Sequence, residues 1–290
     1  MSSKKYLVNK VFNNNVLLAV DKENGKELVL VGKGIGFGKT KKEGKLVEIK
    51  DEQVEKSFVA FDDNTKEEYY QLMGLINEKV IGVSEEIIAM SEDKFGRLNS
   101  HIHIALTDHI GFALDRIKTG MEINNPFIYE IKALYPKEFE LGQKAAEIIK
   151  ARLGVEISES EMGFIALHIH SARENKKVTE TIKDTKFLKK LINIIEEDLD
   201  IHLNNNDLMY SRLVNHLRMT IIRLEEKKNI ENPLLNAIRE QFYESYKTAT
   251  KVGKYIESEK NIHVTDEELG FMALHIERIK ETANNPALRS

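Results

Sequence analysis

The chain has no cysteine in 290 residues, which excludes disulfides, cysteine-ligated zinc and thiol catalysis. A reducing compartment is expected. No apolar run approaches the ~18 residues needed to span a bilayer. Met1-Ser2-Ser3-Lys4-Lys5-Tyr6 leads into no long apolar core, so no signal peptide is expected. There are only four prolines, and none interrupts a periodic stretch. What is present is a globular composition, 41% apolar and 31% charged, which rules out wholesale disorder. The default is a soluble cytoplasmic protein.

The formal net charge of −4 is unevenly spread. Residues 1–60 hold 12 lysines, no arginine and 8 acids, a net of +4. The other 230 residues hold 31 bases and 39 acids, a net of −8. The basic part also reads as strands. Tyr6 to Phe12, Val16 to Val20, Glu27 to Val31, Lys45 to Lys50 and Ser57 to Phe61 are the pieces, and Asn24-Gly25 signals a two-residue hairpin. A few short strands bury little alone, so this piece is expected to dimerise.

From Lys66 the period becomes helical, as in Ile102, Leu106, Ile110, Ala113 and Ile117. This part is written twice, at an offset of 107 residues. Glu161-Met-Gly-Phe-Ile-Ala-Leu-His168-Ile169 returns as Glu268-Leu-Gly-Phe-Met-Ala-Leu-His275-Ile276. The same offset carries His109 onto His216, Arg116 onto Arg223 and Asn125-Pro126 onto Asn232-Pro233. Residues 105–169 align with 212–276 without a gap, with 16 of 65 positions identical. So long a period means a duplicated domain. Ser158-Glu-Ser-Glu161 and Thr265-Asp-Glu-Glu268 both match the capping box that opens a helix. The expected domains are 1–61, 66–173 and 178–290, a small antiparallel β-sheet followed by two homologous all-α bundles.

Of nine histidines, only the pairs His109/His216 and His168/His275 survive the offset. A histidine beside an apolar helix face is often a satisfied, partly buried side chain. Here both copies keep it at the same two places. Metal binding is one alternative, but His101-x-His103 and His168-x-His170 are not repeated, and no H-E-x-x-H occurs. General-base catalysis is another, but no nucleophile or carboxylate constellation accompanies it. Phosphoryl acceptance is the third, since neutral imidazole attacks phosphorus well.

Two motifs mark the basic part. Lys10-Val-Phe-Asn13-Asn14-Asn15-Val16 places an asparagine triplet between strands. It is either a plain turn or a set of amide donors and acceptors facing bases or phosphates. Gly32-Lys33-Gly34-Ile35-Gly36-Phe37-Gly38-Lys39-Thr40 has three residues between its last glycine and Gly34, where a phosphate loop needs about four. It is either a flexible glycine hairpin with solvated lysines or exposed backbone with Phe37 as a stacking ring for RNA.

Together these segments resemble the BglG/SacY family of transcriptional antiterminators over essentially the whole chain. The wording Gly32-Lys-Gly-Ile-Gly-Phe37 is most similar to its glucose-system branch, the GlcT type. The resemblance implies a four-stranded, dimeric CAT RNA-binding domain. It holds shut a hairpin in nascent leader mRNA and so prevents terminator formation. It implies two regulatory PRDs answering to the sugar phosphotransferase system. The RNA contacts then fall on Lys10, Asn13, Asn15, Gly32, Lys33 and Phe37, and the phosphorylation sites on His109, His168, His216 and His275. Enzyme II is the implied donor to the first copy, and HPr to the second. The expected partners are therefore leader mRNA, Enzyme II, HPr and a second copy of the chain, with no cofactor, metal or catalytic residue. Many members carry arginine where this chain has Lys33; lysine keeps the charge but loses the planar fork. The rival classes are a DNA-binding activator with PRDs, which needs a helix-turn-helix, and a nucleotide or metal hydrolase.

Overall fold

The computed structural model describes residues 3–39, 42–59, 63–204, 208–228 and 230–284. Thr40, Lys41 and the stretch 60–62, which includes part of the last expected strand and of the first domain boundary, lie outside the described residues. Two compact units emerge, residues 1–125 with 137–181, and residues 126–136 with 182–290.

The first unit begins with a five-stranded antiparallel sheet, where the family resemblance implied four. Its strands are β1 (Ser3–Asn13), β2 (Val16–Asp21), β3 (Glu27–Val31), β4 (Leu46–Lys50) and β5 (Lys56–Val59), in the order β4-β1-β2-β3-β5. The fifth strand exists because Lys56–Val59 fills the free edge of β3, with Val29 opposite Phe58. The runs of β2 and β3 are apolar without alternation because both faces of the sheet are buried. Val16, Leu18, Val29 and Val31 point to one core; Leu17, Ala19, Leu28 and Leu30 point to another. The Asn24-Gly25 hairpin is present, but its loop is longer than the expected two residues. Asp21 still pairs with Lys26, its N–H donating to the Lys26 carbonyl at 2.8 Å, and Gly25 takes φ +71° inside the loop.

Helices follow. In the first unit they are α1 (Asp63–Leu75), α2 (Glu78–Phe95), α3 (Ile102–Lys118), α5 (Pro136–Leu153) and α6 (Glu159–Arg173). The second unit holds α4 (Ile128–Leu134), most of α7 (Val178–Leu199), α8 (Leu208–Glu225), α9 (Leu235–Gln241), α10 (Tyr243–Lys260) and α11 (Asp266–Asn284). The offset of 107 maps α4 onto α9 and α5 onto α10, end to end. Packing breaks this symmetry at α4. The helix lies on α8, where Tyr210 donates its O–H to Glu130, Lys189 pairs with Glu130 at 3.1 Å, and the Asn215 amide donates to the Ala133 carbonyl at 3.1 Å. Glu130 is fully buried, so these partners offset the cost of desolvating it.

One face of the sheet is covered by α2. Phe12, Val16, Leu18, Val29, Val31 and Phe58 share a core with Val80, Ile81, Val83, Ile87 and Ile88. Asn77 caps α2 by accepting from the Lys79 N–H at 3.0 Å, and Gly96 ends it at φ +80°. A register shift between Val8 and Lys10 bulges β1. Strict alternation would keep Lys10 on the side of Tyr6 and Val8; after the bulge Val11 takes that side and Lys10 turns toward α2.

Two glycines are fixed by steric need. A Cβ on Gly36 would lie 2.1 Å from the Asn13 carbonyl oxygen, and one on Gly32 would lie 1.9 Å from that of Gln53. Gly36→Ala should therefore destabilise the chain by about 2 kcal/mol or more, as a backbone collision in a packed region does. Gly74→Ala, in the exposed part of α1 with nothing within 4 Å, should instead stabilise by roughly 0.5–1 kcal/mol. Denaturant midpoints of the two variants check the opposite signs.

Candidate functional site

The asparagine triplet and the glycine loop form one cluster. Asn13 and Val16 close β1 onto β2, leaving Asn14 and Asn15 as the turn. None of the three asparagines has a positive φ, so the left-handed tolerance of asparagine is not what selects them. Their side chains and carbonyls are used instead. Asn13 Oδ1 accepts from the Asn15 N–H at 2.7 Å, and Asn15 Oδ1 accepts from the Gly34 N–H at 3.0 Å. The Gly32 N–H donates to the Asn15 carbonyl at 2.9 Å, and the Gly36 N–H to that of Asn14 at 2.8 Å. The loop then makes successive turns, with the Phe37 N–H on the Gly34 carbonyl at 3.1 Å and the Lys39 N–H on the Gly36 carbonyl at 3.0 Å. No helix follows among its described residues, so the phosphate-loop alternative loses its second requirement. Lys33 is exposed, and the Phe37 ring is 74% exposed.

Three of the six implied RNA-contact residues meet carboxylates of α2. Lys10 Nζ lies 2.5 Å from Glu78 Oε1, and Glu78 raises the Lys10 pKa. The amides of Asn13 and Asn15 donate to the two oxygens of Glu86 at 2.9 and 3.0 Å. Arg152 of α5 donates to the same carboxylate from Nε and Nη2 at 3.0–3.3 Å. Neither glutamate stands out in the sequence, because nothing local links them to β1.

The four repeated histidines meet in two pairs. In the first unit, α3 and α6 bring the rings of His109 and His168 to a centroid separation of 4.8 Å. In the second, α8 and α11 stack His216 on His275 at 3.8 Å. Burial drives His168 and His216 down to about 3; for His168 the positive field of His109 adds to this, and for His216 that of His275. Burial also lowers His275. His168 Nδ1 and His216 Nε2 are buried with no hydrogen-bond partner among the described residues. These are neutral imidazoles with an available nitrogen, as a phosphoryl acceptor requires.

Each pair sits beside a buried glutamate that the sequence disguises as a capping box. Ser158 and Thr265 do cap their helices, accepting from the N–H groups of Glu161 and Glu268 at 3.4 Å. The glutamate side chains go elsewhere. Glu161 accepts from Arg116 Nη2 at 2.8 Å and lies 3.2 Å from His109 Nε2. Burial alone would raise its pKa, but His109 and Arg116 outweigh burial and lower it. Glu268, 1% exposed, receives Arg223 through both Nε and Nη2 at 2.7 and 2.8 Å, and Thr220 Oγ1 at 3.1 Å. The repeat of Arg116 in Arg223 and of Glu161 in Glu268 was the available signal. The unrepeated histidines have other partners. His103 lies 2.7 Å from Glu85, and His170 lies 3.2 Å from Glu138, so the H-x-H segments diverge and do not form ligand sets.

The chain is similar to known families and proteins over most of its length. The model of the CAT RNA binding domain matches residues 6–67, and that of the PRD domain matches 85–172 and 189–279. The chain is 36% identical to the transcription antiterminator LicT of Bacillus subtilis, over 94% of this chain and 99% of that protein. It is 33% identical to the β-glucoside operon antiterminator of Dickeya chrysanthemi, over 93% and 95% respectively. It is 32% identical to Protein GlcT of Staphylococcus haemolyticus, over 94% and 95%. The solved GlcT CAT-PRDI structure is 39% identical and covers 58% of this chain and 98% of its own, with a TM-score of 0.48.

The buried imidazoles make stability depend on pH with a definite sign. Their folded pKa, about 3 for His168 and His216, lies below the ~6.5 of an unfolded histidine, so the unfolded chain takes up protons first as pH falls. The contribution is fully present above about pH 6.5 and is lost as pH falls toward 3, at of order 1 kcal/mol per pH unit for each ring. The C2–H resonances of His168 and His216 should show no titration between pH 8 and 5. A midpoint near 6.5 for either would be incompatible with the packing described.

Proposed function

The chain belongs to the family of transcriptional antiterminators that join a CAT RNA-binding domain to PRDs, and from that membership we propose how its residues carry out the work. The protein is an RNA-binding regulator whose PRDs place it under phosphotransferase-system control. The observation that carries the reading is the coincidence of the single CAT match with the sheet and of the two PRD matches with the two histidine pairs.

In our reading, Lys10, Asn13, Asn15, Gly32, Lys33 and Phe37 bind a hairpin in nascent leader mRNA, in the cytoplasm where that mRNA is made. Lys33 and Phe37 project from the loop, one to contact phosphate and the other to stack on an unpaired base. Gly32 serves by letting the loop close against Gln53. Domains 1–61, 66–173 and 178–290 act in a homodimer that presents two such surfaces to one hairpin. Holding the hairpin shut keeps the overlapping terminator from forming. The rival DNA-binding activator finds no support in residues 3–59, whose described segments are strands, turns and short 3-10 turns instead of a helix-turn-helix.

Control comes through His109, His168, His216 and His275. The donor–phosphorus bond of Enzyme II or HPr breaks as an N–P bond forms on imidazole, and the ring proton leaves to solvent. The phosphoryl group adds nearly two negative charges. On His109 it would meet the Glu161 carboxylate 3.2 Å away, repel it, and free Arg116 to pair with phosphate. A free-energy difference of about 3 kcal/mol between paired and rearranged dimers changes their ratio by over a hundredfold. The relatives divide by name between β-glucoside and GlcT types, so leader exchange decides the sugar system, with the glucose leader as our choice.

Asn15→Ala, Lys33→Ala and Phe37→Ala should each weaken a gel shift with the leader hairpin by about tenfold or more, the cost of one lost stacking or charge-assisted contact. Incubation with phosphoenolpyruvate, Enzyme I, HPr and the permease domain should place phosphate on at least one of the four histidines by mass spectrometry. Full hairpin affinity in all three variants, or phosphate on none of the four, would overturn the assignment.

A further inference from the structure

Three features of α2 converge on the strip formed by Lys10, Asn13 and Asn15. Glu78 and Glu86 are eight residues apart, a little over two turns, so both face β1. Gly82 stands midway between them. A Cβ there would lie 2.4 Å from Asn13 Nδ2 and 2.8 Å from its Cγ, so a larger residue would push the Asn13 amide out of this position. The contacts are of the kind a nucleic acid makes: an anion on a lysine amine, and paired oxygens on two amide N–H donors.

We infer that α2 is an intramolecular competitor of the RNA, its Glu78 and Glu86 carboxylates holding the donors of Lys10, Asn13 and Asn15 that the hairpin would otherwise occupy. The inference rests on the RNA-contact reading above. Lys33 and Phe37 stay exposed, so the hairpin can engage the loop first and then displace the carboxylates. Displacement strands neither acid. Glu86 keeps Arg152 at 3.0–3.3 Å, and Glu78 is half-exposed and returns to water. The apolar seam of Phe12, Val16 and Leu18 with Ile81 and Ile87 need not open, because only side chains change partners. The regulatory half thereby sets the RNA affinity of the sheet before any phosphorylation.

The test compares leader-hairpin affinity of the full chain with that of Glu78→Gln/Glu86→Gln at fixed salt. The double variant should bind about tenfold tighter, because amide oxygens hold the strip less strongly than carboxylates. Glu23→Gln/Glu48→Gln removes the same charge from exposed positions away from the asparagine turn, and should change affinity by less than about twofold. Thermal melts confirm folding, and selectively 15N-labelled Asn13 and Asn15 amides should shift both in Glu86→Gln and on adding hairpin. A parent that binds with no gain in Glu78→Gln/Glu86→Gln, or an equal gain in both double variants, overturns the competition alone. Binding by none of the proteins overturns the RNA-contact reading and the competition with it.

Discussion

The seam between the sheet and α2 is the constraint on which the first unit depends. A sheet of short strands with apolar residues on both faces needs cover on both. One face closes with Ile35, Val47 and Ile49 from the sheet's own loop and fourth strand. The other takes Ile81, Ile87 and Ile88 from the regulatory half of the chain. Behind this seam Glu85 is fully buried, accepting from Tyr69 at 2.9 Å and lying 2.7 Å from His103, whose ring packs edge-on against Phe58 of β5. A buried hydrogen-bonded cluster of polar side chains is costly to break, because its groups would be left dehydrated and unpaired. It therefore resists sliding of α2 along the sheet, and that fixed register is what brings Glu78, Gly82 and Glu86 to the asparagine turn.

A second constraint is repeated in the two PRDs. Each buries a glutamate against an arginine, and in each one imidazole, His168 or His216, is too dehydrated to hold a proton at neutral pH. Charge added there meets a low-dielectric environment in which it is strongly felt. The copies differ in one useful respect. Thr220 stands where the first copy has Ala113, and its hydroxyl donates to Glu268. The carboxylate of the second copy is thus fully occupied by Arg223 and Thr220, whereas that of the first reaches His109. In the proposed reading, phosphate on the first copy would face the ion-paired carboxylate directly, whereas phosphate on the second would reach it through the stacked rings.

The sequence carried the histidine pairs in full, because a single offset of 107 fixes which positions of two helices correspond. It carried the strands nearly as well, since β-branched runs between turn residues are local signals. It did not carry partners that lie far along the chain. Glu161 and Glu268 fitted a local motif so well that their arginines, 45 residues away in each copy, were hidden. Glu86 has no local motif at all. Nothing in residues 1–60 reports that an amphipathic helix later in the chain covers one face of the sheet. The repeat also fails at α4, where Tyr210 and Lys189 compete for Glu130 against its symmetric place.

These two sets of carboxylates differ in burial, and burial decides their roles. An exposed or half-exposed pair such as Lys10–Glu78 is worth about 0–1 kcal/mol, which a polyanion brought close by a basic strip readily exceeds. Such a contact tunes binding and yields to it. Removing one partner from a buried pair costs about 3–5 kcal/mol, because it leaves a dehydrated charge behind. Arg116–Glu161 and Arg223–Glu268 are of that second kind, so thermal motion or a passing ion does not open them. Only a covalent charge placed beside them has the magnitude to do so. In the proposed reading the paired histidines would carry that charge, and the RNA surface would need only the weaker contacts because its ligand brings the charge.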